Sequence, residues 1–365
     1  MDKKSIIITF QNAVNYGAVL QCYALQNTLE KNNINVEVLN YDNKVIGDCY
    51  KIFYYPKNEK SFKLYLKSFI SAMFFFNQLC GRNAKFRKFI KHNIHLTEKY
   101  SKKNIKDKDF GENTTLIAGS DQIWNTDLTN GLDDVYYLNF SDNSKKISYA
   151  ASIGKNELDS KFLNDIKKCL NKFDYISVRE ETGKLEIDKK LNKNVDVVLD
   201  PTLLIDKEEW EKKLEHKKID CKYIFVYMPN VEVIKSAKYI SEKENLKIVN
   251  ISKKHYFGRR EINRFRSDPF DFLTLLYNAE YIITTSFHAT SFSIIFNKKI
   301  IVFPPEGLSS RITNLTEKLK LNDIIYNSFS EIKTARYKNS INYTNANKLL
   351  LKYREESIKK LLNNI

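Results

Sequence analysis

Short apolar runs, each followed by a polar turn and then by apolar residues at helical spacing, recur along this chain. The sharpest instance is residues 281–296. Tyr281, Ile282 and Ile283 read as a buried strand, and Thr284, Thr285 and Ser286 as a hydroxyl-lined turn. Phe287, Phe292, Ile295 and Phe296 continue at helical spacing. A strand–turn–helix unit repeated in this way points to a parallel sheet, because parallel neighbours need crossover helices. The predicted class is therefore α/β, and 365 residues are long for one core, so two domains are expected.

The N-terminal part opens as βαβ: a strand at 5–10, a helix over 18–30 carrying Val19, Cys22, Leu25 and Leu29, and a strand at 34–39. The turn between them holds Asn15, Tyr16 and Gly17, at the sheet edge where open α/β folds bind ligands. It has no GxGxxG, so a dinucleotide fingerprint is not supported. A strand at 114–118 ends in Gly119-Ser120-Asp121-Gln122-Ile123-Trp124, a ligand-facing type of turn. Asp121 reads either as a base or as a cap, and Trp124 either as a sugar-stacking face or as a loop anchor. Ser120 shows no Ser–His–Asp pattern and is not read as a nucleophile. Arg179 ends a strand at 175–178 and reads as an anion fork or as a partner of Glu180 or Glu181. Asp200, stopped by Pro201, is placed at a cleft rim.

Domains are expected at 1–205, with a basic aromatic insertion at 50–100, and at 206–342, with a closing helix at 343–365. The second domain repeats the βα pattern from residue 223. Residues 253–266, with His255, Arg259, Arg260, Arg264 and Arg266, read as a mobile basic loop near the cleft. Ser286 would cap the helix that places His288 in its first turn, where N–H groups and the dipole favour an anion. A structural histidine is the alternative. Ser309 or Ser310 would start a later helix and direct Arg311 to the same cleft.

The formal charge is +16, yet 44 acids are spread among the basic residues, so nucleic acid is not an expected partner. Small anionic substrates or an anionic membrane surface fit the balance better. Lys63 and Lys67 at one end of residues 62–79, with a bare apolar run at the other, read as an interfacial helix or as a core-packed one. No uncharged apolar run reaches the ~18 residues of a spanning helix. The first ten residues lack the length and cleavage site of a secretory signal. Five scattered cysteines without ligand spacing read as reduced core thiols of a cytoplasmic protein, peripheral at the inner face of the cell membrane if the interfacial helix docks.

Together, Asn15-Tyr16-Gly17-Ala18, Gly119 to Trp124, Ser177-Val178-Arg179-Glu180, Leu199-Asp200-Pro201 and Thr285-Ser286-Phe287-His288-Ala289 resemble the polysaccharide pyruvyl transferase family, in family order over residues 10–320. The resemblance implies two Rossmann-like domains facing across a cleft, as in glycosyltransferase type B. It implies transfer of pyruvate from phosphoenolpyruvate to a sugar diol of a surface glycan or lipid-linked precursor. It makes His288 the histidine of the phosphoenolpyruvate site and Arg179 a substrate-binding arginine, with no metal and no cofactor beyond the donor. Many members carry arginine where this chain has Ser286, so an anion clamp is either missing or supplied by Arg311. Asp121 or Asp200 would orient the histidine or the acceptor. Asn15, Tyr16, Gly17, Gln122 and Trp124 complete the expected binding set. A nucleotide-sugar glycosyltransferase, or a non-catalytic glycan-binding relative, remain the alternatives.

Overall fold

The structure is a computed structural model and describes residues 3–49, 70, 73–215, 219–305 and 310–365. The chain divides into two compact units, Met1–Pro201 with Leu361–Ile365, and Thr202–Lys360.

In unit 1 the strands are β1 (Lys4–Ile8), β2 (Asn35–Tyr41), β3 (Leu96–Tyr100), β4 (Thr114–Ala118) and β5 (Lys145–Ser148). They form a parallel sheet in the order β3-β2-β1-β4-β5. The bridges Ile147↔Tyr175 and Ala151↔Val178 extend it to a short parallel pair, β6 (Ser177–Val178) and β7 (Asp196–Val197). Ile6, Ile7 and Ile8 are fully buried in succession. That is the signature of a central parallel strand covered on both faces, each such side chain contributing about 2 kcal/mol on burial.

Helix α1 (Tyr16–Lys31) follows β1. Its buried polar side chains are bonded: Gln21 Nε2 donates to Thr9 Oγ1 at 2.9 Å, and Gln26 Oε1 accepts from the His95 N–H at 2.8 Å. Helix α2 (Lys44–Cys49) comes next, and α3 (Phe76–Asn93) precedes β3. The expected interfacial helix at 62–79 lies mostly outside the described residues; its described members Met73, Phe74 and Phe76 are exposed. The basic run Lys85 to His92 belongs to α3 itself. Among the described residues no helix is long and apolar enough to cross a membrane. Helices α4 (Leu163–Asn171) and α5 (Glu181–Leu191) complete the unit.

Unit 2 begins with α6 (Lys207–Glu211), β8 (Tyr223–Tyr227), α7 (Val231–Lys243), β9 (Lys247–Asn250) and β10 (Glu261–Asn263). It continues with α8 (Pro269–Tyr277), β11 (Tyr281–Thr284), α9 (Phe287–Ile295) and β12 (Ile300–Val302), then α10 (Ser310–Lys318), α11 (Phe329–Lys333) and α12 (Tyr343–Leu362). Its sheet is also parallel, in the order β10-β9-β8-β11-β12. Fully buried Trp210 meets Phe292 of α9 edge-on, with ring centroids 5.1 Å apart.

Two expectations are corrected here. Residues 253–266 contain a strand: β10 pairs with β9, and the carboxylate of Glu261 gathers the preceding loop. Glu261 accepts from the N–H groups of Tyr256 and Phe257 at 2.8 and 2.9 Å and from Asn250 Nδ2 at 3.0 Å. Because β10 runs parallel to β9, Arg259 and Arg260 lie where it begins, at the sheet edge opposite the strand carboxyl ends, whereas His255 follows the carboxyl end of β9 and Arg264 and Arg266 that of β10. The cysteines are not uniformly core: Cys22 and Cys169 are buried, but Cys221 is exposed.

Candidate functional site

Each sheet reverses its strand order beside its first strand, between β1 and β4 in unit 1 and between β8 and β11 in unit 2. Such switch points open a crevice at the strand carboxyl ends. The sequence-predicted residues divide between them. Asp121, Gln122, Arg179 and Asp200 belong to unit 1, and Ser286, His288 and Arg311 to unit 2.

In unit 1 the chain leaves β4 through Gly119 and Ser120. Gly119 packs so closely that a Cβ there would lie 3.1 Å from Ile7 Cγ2. Thr9 Oγ1 donates to the Ser120 carbonyl at 2.8 Å and so ties the ends of β1 and β4 together. Asp200 is the hub behind this turn. Its Oδ2 accepts from Arg179 Nη1 at 2.7 Å and from Ser120 Oγ at 3.0 Å. The Arg179 and Asp200 side chains are 2% and 0% exposed. Burial alone would lower the pKa of the guanidinium. The carboxylates of Asp200, Glu180 and Asp121 outweigh that effect and raise it. Glu180 in turn accepts from Ser152 Oγ at 2.6 Å.

These facts correct the expected anion fork. Arg179 is enclosed, its charge is met by Asp200, and Asp200 does not line a rim. Trp124 is corrected too: it is 2% exposed, stacks on Tyr137 at 5.5 Å and donates from Nε1 to the Tyr136 carbonyl at 3.0 Å. It anchors the loop, with no face free for a sugar.

Tyr16 and Gly17 sit in the first turn of α1 and are buried, so the expected turn ends at Asn15. Tyr16 packs under the Arg82 guanidinium, 4.7 Å from its ring centroid. Asn15 caps α1, its Oδ1 accepting from the Ala18 N–H at 3.3 Å. Asp121 and Gln122 remain partly exposed. Gln122 Oε1 accepts from Asn125 Nδ2 at 3.0 Å. Both side chains press on Gly154, where φ is +65° and a Cβ would fall 2.2 Å from Gln122 Oε1.

In unit 2, Thr284 Oγ1 donates to the Tyr227 carbonyl at 2.7 Å and accepts from the Ser286 N–H at 3.0 Å. Thr285 Oγ1 donates to the Met228 carbonyl at 2.7 Å. Ser286 is the N-cap of α9, its Oγ accepting from the Ala289 N–H at 3.4 Å. His288 is the second residue of that helix and is 9% exposed. Farther along, the hydroxyls of Thr290, Ser291 and Ser293 bond back to carbonyls one turn earlier, which lets a hydroxyl-rich helix stay buried. Arg311 is the second residue of α10, which neighbours α9, and is partly buried. Ser309 lies outside the described residues.

Three carboxylates, of Glu215, Asp268 and Asp271, approach within 4.8 Å of one another. Asp268 and Asp271 form the capping box of α8, which accounts for their closeness. Sequence reasoning named Glu180 as an alternative partner of Arg179 but passed over Ser152 and Thr9, which only the fold joins to the unit 1 network.

Known proteins place this arrangement in a class. A model of the family described as polysaccharide pyruvyl transferase matches residues 15–307, and the chain belongs to that family. No curated protein matches it. Among solved structures it is similar to a UDP-N-acetylglucosamine 2-epimerase, described as putative, from Listeria monocytogenes. That match has 10% identity and a TM-score of 0.55, over 99% of this chain and 95% of that one. The S. aureus MnaA structure with UDP matches at 11% identity and a TM-score of 0.53, over 100% and 98% of the two chains. The Rickettsia bellii UDP-N-acetylglucosamine 2-epimerase matches at 12% and 0.51, over 100% and 96%. At such identities the likeness is one of fold: α/β with two Rossmann-like domains, of the glycosyltransferase type B class.

Proposed function

We propose that the protein transfers pyruvate from phosphoenolpyruvate to two hydroxyls of a sugar in a cell-surface glycan or its lipid-linked precursor, forming a ketal. The observation that carries this reading is His288, held in the first turn of α9 behind a cap serine at the unit 2 switch point, in a chain of the pyruvyl transferase family. Phosphoenolpyruvate carries a carboxylate and a phosphate on adjacent groups. A helix start supplies N–H donors and the positive dipole end for such an anion. Arg311 is the arginine of the set that unit 2 carries, on the helix that neighbours α9, whereas Arg179 is bonded to Asp200 in unit 1.

The chemistry needs a proton on the terminal enol carbon, two sugar oxygens bonded to the central carbon, and loss of phosphate. An imidazole gives and takes protons near neutral pH, and His288 carries one of these transfers. No oxidation or reduction occurs, so no redox cofactor is called for.

The test is phosphate release from phosphoenolpyruvate by the purified protein, with and without a panel of sugar acceptors. Release is expected only with acceptor, and His288→Ala lowers it about 100- to 10,000-fold while the thermal midpoint holds. Undiminished turnover in that variant removes His288 from the mechanism. A second reading, nucleotide-sugar transfer, draws on the fold shared with the UDP-bearing S. aureus structure. Binding of a nucleotide sugar with no response to phosphoenolpyruvate would favour it.

A further inference from the structure

Helix α3 (Phe76–Asn93) has two unlike faces. One is anchored in unit 1, where Phe86, Phe89 and Ile90 are buried. Phe86 lies 5.0 Å from the Tyr16 ring and Phe89 6.2 Å from the Tyr23 ring, both on α1. With about 3.6 residues per turn, Phe76, Asn77, Ala84, Arg87, Lys88 and Lys91 fall together on the opposite side. All six are exposed.

That exposed side changes character along its length. At its start Phe76 is 43% exposed, and just ahead of it Met73 and Phe74 are 60% and 83% exposed. Singly exposed apolar residues are ordinary, but three within four positions form a patch. About 16 Å further along the helix the same side becomes cationic, with Arg87, Lys88 and Lys91. Helix α3 contains no aspartate or glutamate, and among the described residues no ion pair reaches these three cations. Other lysines of the unit are paired, as Lys99 is with Asp42 and Lys172 with Asp142. Positive charge on α3 therefore stands without local compensation.

We infer that this side of α3, with Met73 and Phe74 ahead of it, is a docking surface for a bilayer bearing anionic phospholipids. The helix lies along the bilayer. Its apolar end enters the boundary between headgroups and acyl chains, and its three cations meet lipid phosphates. A protein partner fits less well, because lysine is depleted in protein interfaces and a side chain as exposed as Phe74 lines no groove. A nucleic acid would leave the apolar end uncovered. Docking rests on unit 1 alone and needs neither pyruvyl transfer nor any contact with unit 2.

The experiment measures flotation of the full chain with vesicles of phosphatidylcholine, alone or mixed with phosphatidylglycerol, at low and high salt. A chain with a formal charge of +16 is drawn to any anionic surface, so the variants are matched in charge. One combines Arg87→Gln, Lys88→Gln and Lys91→Gln. The other combines Lys3→Gln, Lys189→Gln and Lys190→Gln, exposed lysines elsewhere in unit 1. The first is expected to weaken binding to the anionic vesicles at least about tenfold, and the second less than about threefold. Phe74→Ser is expected to weaken it about tenfold and to leave its salt dependence unchanged, since it removes apolar burial and no charge. The substituted side chains are all exposed, so thermal midpoints stay within about 2 °C of the parent. Equal losses in the two triple variants, or parental binding by Phe74→Ser, overturn the docking surface and leave attraction by net charge alone. A parent protein that ignores anionic vesicles at low salt overturns it too. So does self-association of the vesicle-free protein that Phe74→Ser abolishes, which would give this side of α3 to a second copy of the chain.

Discussion

The two units are laid out alike and charged differently. Both order their strands the same way, and both close the switch point with a threonine hydroxyl reaching a neighbouring strand end, Thr9 to the Ser120 carbonyl and Thr284 to the Tyr227 carbonyl. In unit 1 the acids Asp121, Glu180 and Asp200 stand around an enclosed arginine. In unit 2 hydroxyls and a histidine at a helix start follow β11. A shared frame therefore carries acids around a cation at one switch point and hydroxyls with a histidine at the other.

The comparison breaks most visibly at Arg179. Arg179→Met would leave Asp200 buried without its cation, an expected loss of about 3–5 kcal/mol in stability, read from denaturant midpoints. Should stability hold and the apparent affinity for phosphoenolpyruvate fall instead, Arg179 would be a donor clamp and the contrast between the edges would be wrong. A smaller effect is expected at Glu261, which stands away from either switch point. Burial pushes its carboxyl up, but hydrogen bonds from Asn250 and from the amides of Phe257 and Tyr256 outweigh that and hold it below its ordinary value. A carboxylate with a depressed folded pKa contributes stability above its unfolded value, near 4.3, and loses it as pH falls through the folded value. Glu261→Gln is thus expected to cost about 1–3 kcal/mol at pH 7, with the gap to the parent closing below pH ~4. A gap that does not change with pH would show that packing, not charge, holds the loop.

Much of this was legible in the sequence, and the exceptions share a cause. The strand–turn–helix at 281–296 announced itself because its apolar residues change period at Ser286. The parallel order followed from the βα alternation. The short strand β10 was hidden, since Glu-Ile-Asn between basic residues has neither length nor alternation, and only pairing with β9 makes it a strand. Arg179, Trp124 and Asp200 looked like ligand contacts because polar or aromatic residues after a strand usually face the crevice. Their partners, Asp200 for Arg179 and Tyr137 for Trp124, lie 21 and 13 residues away, and only the fold reveals that each is already occupied.

The central claim is that the donor anion is held at the start of α9, and Ser286→Asp tests it most directly. Aspartate caps a helix as well as serine does, so α9 and the thermal midpoint should persist. Its charge would oppose an incoming dianion at close range. Calorimetric titration of phosphoenolpyruvate is expected to show at least a tenfold loss of affinity in this variant. Affinity equal to that of the parent protein would place the donor elsewhere and contradict the account.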